Sequence, residues 1–284
     1  PNTVDSAPLV APLEIHPMTP IAALVSYETS AAQTLAGTTA QRSAALTVGR
    51  WYTLFVEGEA LRFAFGASDV DASSTPEELL AGDTTCDKSP DTAAYWQPTL
   101  YDGDEIVEPI DLAAYYRAAP GVDPADVETM PVGLAMIAGD HTATEPQPGD
   151  AAVWTCGARR TASDIPQDCP VSAPLTMVLT FQDCWDGEFL DSEGHQSHVA
   201  YSADGQCPDG FDVHIPQITV AIRFPVSGPD HDLRLASGSP LSAHGDFWNA
   251  WDPEGLQREI DACIKRDVVC DLASNRAESP LFSG

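Results

Sequence analysis

Two short stretches concentrate the side chains able to do chemistry. The first, Asp183–Tyr201, reads DCWDGEFLDSEGHQSHVAY and carries His195 and His198 three residues apart, with Asp186 and Asp191 close by. A carboxylate beside an imidazole orients the ring and raises its basicity, the arrangement used in general acid–base catalysis. The second, His244–Asp252, reads HGDFWNAWD and joins an imidazole, a carboxylate, an amide and two indoles in nine residues. Indole faces stack on the C–H surfaces of sugars while carboxylates and amides take the hydroxyls. His198, His244 and Asp246 are therefore the candidate catalytic residues. Trp185, Asp186, Asp191, His195, Asn249 and Trp251 are the candidate substrate contacts. The same residue types also serve structure: Trp185 adjoins Cys184, where it can pack on a disulfide, and Trp248 and Trp251 can anchor the helix that follows. No GxSxG elbow, P-loop, GxGxxG or HExxH is present. No cofactor motif occurs either; calcium is the ion that exposed acidic loops would hold, although no EF-hand-like loop is present.

The elements that must position these blocks read as strands. Leu46–Val56, Leu61–Phe65, Tyr95–Tyr101, Val132–Ala138, Ala151–Cys156, Leu175–Phe181, Val213–Phe224 and Leu233–Ala236 are rich in β-branched and aromatic residues. Leu175, Met177, Leu179 and Phe181 alternate in period two, which marks one buried face. One helix is well specified: Asp252 caps it, Pro253 suits its first turn, and Leu256, Ile260, Cys263 and Ile264 recur at helical spacing. Shorter helices are expected at Thr75–Leu80 and Leu112–Tyr116. With 24 prolines and 20 glycines punctuating these runs, the expected fold is mainly β. It is a jelly-roll-like β-sandwich with long disulfide-pinned loops and a short C-terminal helix. Residues 1–45, rich in Ala, Thr, Pro and Ser, read as an extended N-terminal arm, and residues 46–284 as a single β-rich domain.

Seven cysteines set the redox setting. Six fall into sequence-local pairs, Cys156–Cys169, Cys184–Cys207 and Cys263–Cys270, each closing a loop rich in turn-forming or polar residues; Cys86 is left over. Cross-links of this kind and a first residue that is Pro rather than Met imply an exported, processed chain. Acidic residues number 43 against 13 basic ones, a formal charge of −30, and lysine occurs only at Lys88 and Lys265. Such a field repels phosphate backbones and excludes nucleic acid as a partner. No apolar run reaches the length of about 18 residues that a membrane span needs. The partners left are a polysaccharide or cell-surface glycan, with self-association through acidic faces and the arm as a further mode.

Several segments occur together, in order, in a known family: TTCDKSPDTAAYWQPTLY (84–101), GLAMIAGD (133–140), CWDGEFLDSEGHQSHVAYS (184–202), CP (207–208), HGDFWNAWDPEGLQ (244–257) and DAC (261–263). The chain resembles the secreted actinobacterial and fungal domain-of-unknown-function family nineteen ninety-six over about residues 50–270. Fungal members often carry carbohydrate-binding modules, so the resemblance implies an extracellular glycan-directed role. One departure stands out. Members generally hold a Ser-His-x-His-x-Phe-x-Gly-like stretch that aligns on Glu59–Gly66, and here Ala60 and Arg62 replace its two histidines. An upstream cysteine that would partner Cys86 is missing as well. Two functions follow: a polysaccharide-cleaving enzyme with a His/Asp/Trp site, or a non-catalytic extracellular binding or structural protein that has lost part of that site.

Overall fold

The structure is a computed structural model, and it describes residues 33–36, 43–46, 53–57, 60–67, 70, 74–149, 151–157, 159–268 and 270. The strands in chain order are β1 (Gln33–Ala36), β2 (Ser43–Leu46), β3 (Thr53–Glu57), β4 (Ala60–Gly66), β5 (Ala94–Pro98), β6 (Leu100–Asp102), β7 (Glu105–Val107), β8 (Asp111–Arg117) and β9 (Ala135–Gly139). They continue as β10 (Ala152–Cys156), β11 (Arg159–Ser163), β12 (Leu175–Thr180), β13 (Cys184–Trp185), β14 (Val199–Ala200), β15 (Val213–His214), β16 (Gln217–Arg223), β17 (Leu233–Leu235) and β18 (His244–Trp248). Two five-stranded antiparallel sheets dominate, in the orders β3-β4-β5-β18-β9 and β11-β10-β12-β16-β8. The chain passes between them repeatedly, from β5 to β8, back to β9, over to β10 and back again at β18, as a jelly-roll-like sandwich requires. β1 pairs with β2 as a hairpin; most of the arm read over residues 1–45 lies outside the described residues.

Period-two alternation builds the core. Leu175, Met177, Leu179 and Phe181 are all buried, and they face Phe63, Tyr95, Met136 and Phe247 of the other sheet. The Phe181 and Phe247 rings cross at 6.0 Å. Gly245 lies within this contact: a Cβ there would collide with Leu179 Cδ1 and stand 3.0 Å from the Trp96 carbonyl. Only a residue without a side chain lets β18 press this closely on β12.

The helix capped by Asp252 forms at Pro253–Glu259 (α2), its cap oxygen accepting from the Gly255 amide at 2.7 Å. Leu256, Ile260, Cys263 and Ile264 are buried, the last three in a π-helical turn, Ile260–Ile264. The helix α1 (Pro76–Ala81) is closed by a Thr75/Glu78 capping box. The helix expected at Leu112–Tyr116 is instead part of β8, which pairs with β16 along its whole length from Asp111↔Arg223 to Arg117↔Gln217. An Asp111–Arg223 ion pair and a seven-residue ladder outweigh the weak helical preference of two alanines. The long strands expected at Tyr95–Tyr101 and Val213–Phe224 are each broken in two beside a proline, Pro98 and Pro216, whose nitrogen cannot donate to a ladder.

All three sequence-local disulfides are present, and Cys86 is a free thiol.

Candidate functional site

After β12 the chain enters Gln182 and Asp183, both buried. Cys184–Trp185 then pairs with Val199–Ala200 on one side and Val213–His214 on the other, a three-stranded platform for the loop between. Within the loop, polar groups are spent on its own shape. Asp186 Oδ1 accepts from the amides of Glu188 and Phe189 at 2.9 and 3.0 Å, and the Trp185 indole donates to the Phe189 carbonyl at 2.7 Å. Asp191 Oδ1 accepts from the Ser192 amide and lies 2.6 Å from His195 Nδ1, an exposed pair.

His198 is buried, with Nδ1 2.8 Å from Ser192 Oγ. That hydroxyl also accepts from the Ser197 amide at 3.0 Å, tying the ring to the loop backbone. Nε2 is sealed from water without a hydrogen bond of ordinary geometry. Burial pushes the His198 pKa down, against the opposing pull of the Ala135 backbone, Asp191 and Asp186. The ring is a neutral anchor for the loop.

The second block is a strand. His244, Asp246 and Trp248 alternate with Gly245 and Phe247 along β18, so the first three face away from the sandwich core. Trp96 of β5 stands directly opposite Asp246 and meets Trp248 edge to face at 6.4 Å. Both indoles and the carboxylate are half-buried. His244 Nδ1–H donates to the Ser242 carbonyl at 2.8 Å, which leaves the lone pair on Nε2. Its ring lies 5.8 Å from that of His141. Asp140 sits beside this pair, its carboxyl held below the usual range by the Thr142 hydroxyl and amide, with both imidazoles adding to the shift. A Cβ on Gly139, which has φ +82°, would run into the Ala243 carbonyl, so glycine is required where β9 passes His244.

The two blocks meet along β9 but do not converge. The Ala135 backbone amide donates to the Leu190 carbonyl, and the Gln196 side-chain Nε2 to the Gly139 carbonyl, so the loop runs down the strand's free edge. His198 lies at the Ala135 end. His244 pairs with Gly139 at the other end, about 13 Å away by strand rise. Asp246 is on the His244 side, two residues along the same face.

Asn249 and Trp251 belong to the scaffold. Asn249 is fully buried; its amide donates to the Met130 and Pro131 carbonyls and its oxygen accepts from the Trp251 amide. Trp251 is 3% exposed, its indole donating to the Tyr116 hydroxyl at 3.0 Å. Asn249 is out of reach of a ligand, against the expectation that it contacts substrate, while Trp251 shows only an edge to a surface cavity it shares with Tyr116 and Leu256. Trp96 and His141 were not among the expected site residues. The only sequence signal for Trp96 is its place on a strand, since its register against Asp246 is a tertiary fact. Among the described residues no three carboxylates of the acidic loops lie within ligand distance of one another.

The register also bears on the replaced histidines. Position 64 of β4 is opposite Trp96 and position 62 opposite Pro98. Positions 60 and 62 thus belong to the same alternating set as Trp96, Asp246 and His244, whereas His198 does not.

These features define a disulfide-pinned antiparallel β-sandwich with a His/Asp/Trp set on the face of one sheet turned away from the main core, where Trp96 and Trp248 pack against a second buried cluster that includes Leu79 of α1. A model of the family described as Domain of unknown function (DUF1996) matches residues 59–251, about two thirds of the chain, and the chain belongs to that family. No curated protein and no solved structure matches it.

Proposed function

We propose that the chain is a secreted, glycan-directed protein that binds carbohydrate on the outer face of the β3-β4-β5-β18-β9 sheet without turning it over. The observation that carries this reading is the pairing of Trp96 with Asp246 across two strands, with Trp248 closing the same patch. Two indoles flanking a carboxylate offer stacking surface and a hydroxyl acceptor together. Binding is preferred to cleavage because His198 and His244 are a strand length apart and the two family histidines are replaced at positions 60 and 62 on this same face. Export is supported by three disulfides and by the absence of any helix among the described residues long and apolar enough to cross a membrane. A formal charge of −30 disfavours uronate and sulfated chains, so the ligand is a neutral or amino-substituted polysaccharide.

Retardation on native gels containing neutral, cationic and anionic polysaccharides tests the reading. At least one neutral or cationic glycan should slow the protein, Trp248→Ala and Asp246→Ala should release it, and His198→Ala should not. No retardation by any glycan, or full retention by a folded Trp248→Ala variant, overturns it. One observation favours the enzymatic alternative: His244 keeps an acceptor Nε2 two residues from Asp246, the form a general base needs. Release of reducing sugar from the bound glycan, lost in His244→Ala, would decide for turnover.

A further inference from the structure

Away from the indole face, the disulfide Cys184–Cys207 is surrounded by groups that a purely structural cross-link does not use. His214 Nδ1 lies 3.2 Å from Cys207 Sγ. Asp183 Oδ2 lies 3.9 Å from Cys184 Sγ, and Asp183 is 1% exposed. A disulfide sulfur carries no proton, so that buried carboxylate oxygen has no donor there while the bond is closed. Its other oxygen accepts from the Ser202 amide at 3.0 Å. Among the described residues, Cys184, Cys207 and His214 are the one set of three metal-ligating side chains whose ligand atoms all lie within 4.8 Å of one another. Cys184 and His214 are direct cross-strand partners on β13 and β15, so two of the three are fixed by rigid elements. His214 also lines a surface groove of about 680 Å³ together with Asp126, Glu128 and Asp212, an acidic route by which a cation can arrive.

We propose that reduction of Cys184–Cys207 opens a zinc site formed by Cys184, Cys207 and His214, with Asp183 as the fourth ligand. In the reductive step a thiolate of a dithiol attacks one sulfur, the S–S bond breaks, and the second thiol of the reductant resolves the mixed disulfide. The dithiol is oxidised to its own disulfide by two electrons, and Cys184 and Cys207 are left as thiols. Zn²⁺ then displaces both thiol protons and binds two sulfurs, one nitrogen and one oxygen, a tetrahedral donor set of ordinary structural type. Ligand atoms around such an ion sit about 3.3–3.8 Å apart, so Cys207 Sγ and His214 Nδ1, 3.2 Å apart, need to separate only slightly and the two sulfurs need side-chain rotation to reach that spacing. The metal would hold the three-stranded platform under the 186–198 loop in reducing surroundings, as the disulfide holds it in oxidising ones. The inference is independent of the glycan reading.

The test is a cobalt titration of the full chain after reduction with a non-chelating phosphine under anaerobic conditions. One equivalent of Co²⁺ should give a thiolate charge-transfer band and tetrahedral visible bands, both removed by one equivalent of Zn²⁺; the oxidised protein should give neither. Cys207→Ser should halve the charge-transfer intensity, His214→Ala should abolish the tight site, and Asp183→Asn should weaken it by about tenfold. If reduction unfolds the chain, Zn²⁺ should restore the native circular dichroism of the wild type and fail to restore that of His214→Ala. The proposal is overturned by a reduced protein with no thiolate band, by a band that His214→Ala and Cys207→Ser leave unchanged, or by zinc refolding that does not discriminate the variant.

Discussion

Asp91 offers a quantitative test of the core beside the site. Its carboxylate is buried beneath the start of α2, Oδ2 accepting from the Tyr95 hydroxyl at 2.8 Å and Oδ1 from the Ala93 amide at 3.1 Å. Tyr95 contacts the Tyr116 hydroxyl, which in turn accepts from the Trp251 indole, so the protons run one way from Trp251 to Asp91. Burial outweighs those hydrogen bonds and pushes the Asp91 pKa up from its ordinary 3.8 to about 7. Between these two values the folded chain holds a proton that the unfolded chain has lost. Stability from this group is therefore greatest at low pH and falls as pH rises towards 7, levelling off above it. The expected loss between pH 5 and pH 7.5 is about 2.5 kcal/mol. With a urea dependence of about 3 kcal/mol per molar for a chain of this size, the denaturation midpoint drops by about 0.8 M. Asp91→Asn removes the titration while keeping an acceptor for Tyr95. Urea unfolding of both proteins at the two pH values, followed by tryptophan fluorescence, measures the difference. Parallel losses in wild type and variant would refute the assignment of the slope to Asp91.

Three further outcomes are expected. Gly245→Ala forces a methyl group against Leu179 and should destabilise the sandwich by about 1–3 kcal/mol, and adding Leu179→Ala should make the double variant lose less than the sum of the two; additive calorimetric losses would contradict the close approach of β18 and β12. Asn249→Ala should lower the melting temperature through loss of three hydrogen bonds, about 2–4 kcal/mol, while leaving any glycan affinity of the folded fraction unchanged. His231, 2.6 Å from Asp102, has its pKa raised chiefly by that hydrogen bond, so its contribution is full below about pH 6.5 and fades as pH rises through the raised value. His231→Ala should therefore lower stability by less than about 1 kcal/mol at pH 5.5 and by less still at pH 9, read from thermal unfolding at both.

The alternation of Leu175, Met177, Leu179 and Phe181 by itself announces a buried strand face, because side chains two apart on a strand share one side whatever lies opposite. The cap at Asp252 and the spacing of Leu256, Ile260, Cys263 and Ile264 likewise specify a helix locally. The three disulfides join cysteines close in the chain, so the simplest of the pairings the sequence leaves open is the one the structure forms. Family membership too was legible, because its motifs survive as strings of residues. What the chain order conceals is which strands lie side by side. Leu112–Tyr116 reads as a helix until β16 offers it a seven-residue ladder. His198 and His244 look like partners because each sits in a polar block, yet β9 holds those blocks at its opposite ends. Asn249 and Trp251 look like ligand contacts until the Met130 and Pro131 carbonyls and the Tyr116 hydroxyl take up their polar groups. Conversely, Trp96 is 150 residues from Asp246 in sequence and faces it directly only because β5 and β18 are neighbours. Register across a sheet is set by the packing of both faces at once, and that is a property of the folded molecule rather than of any local run of residues.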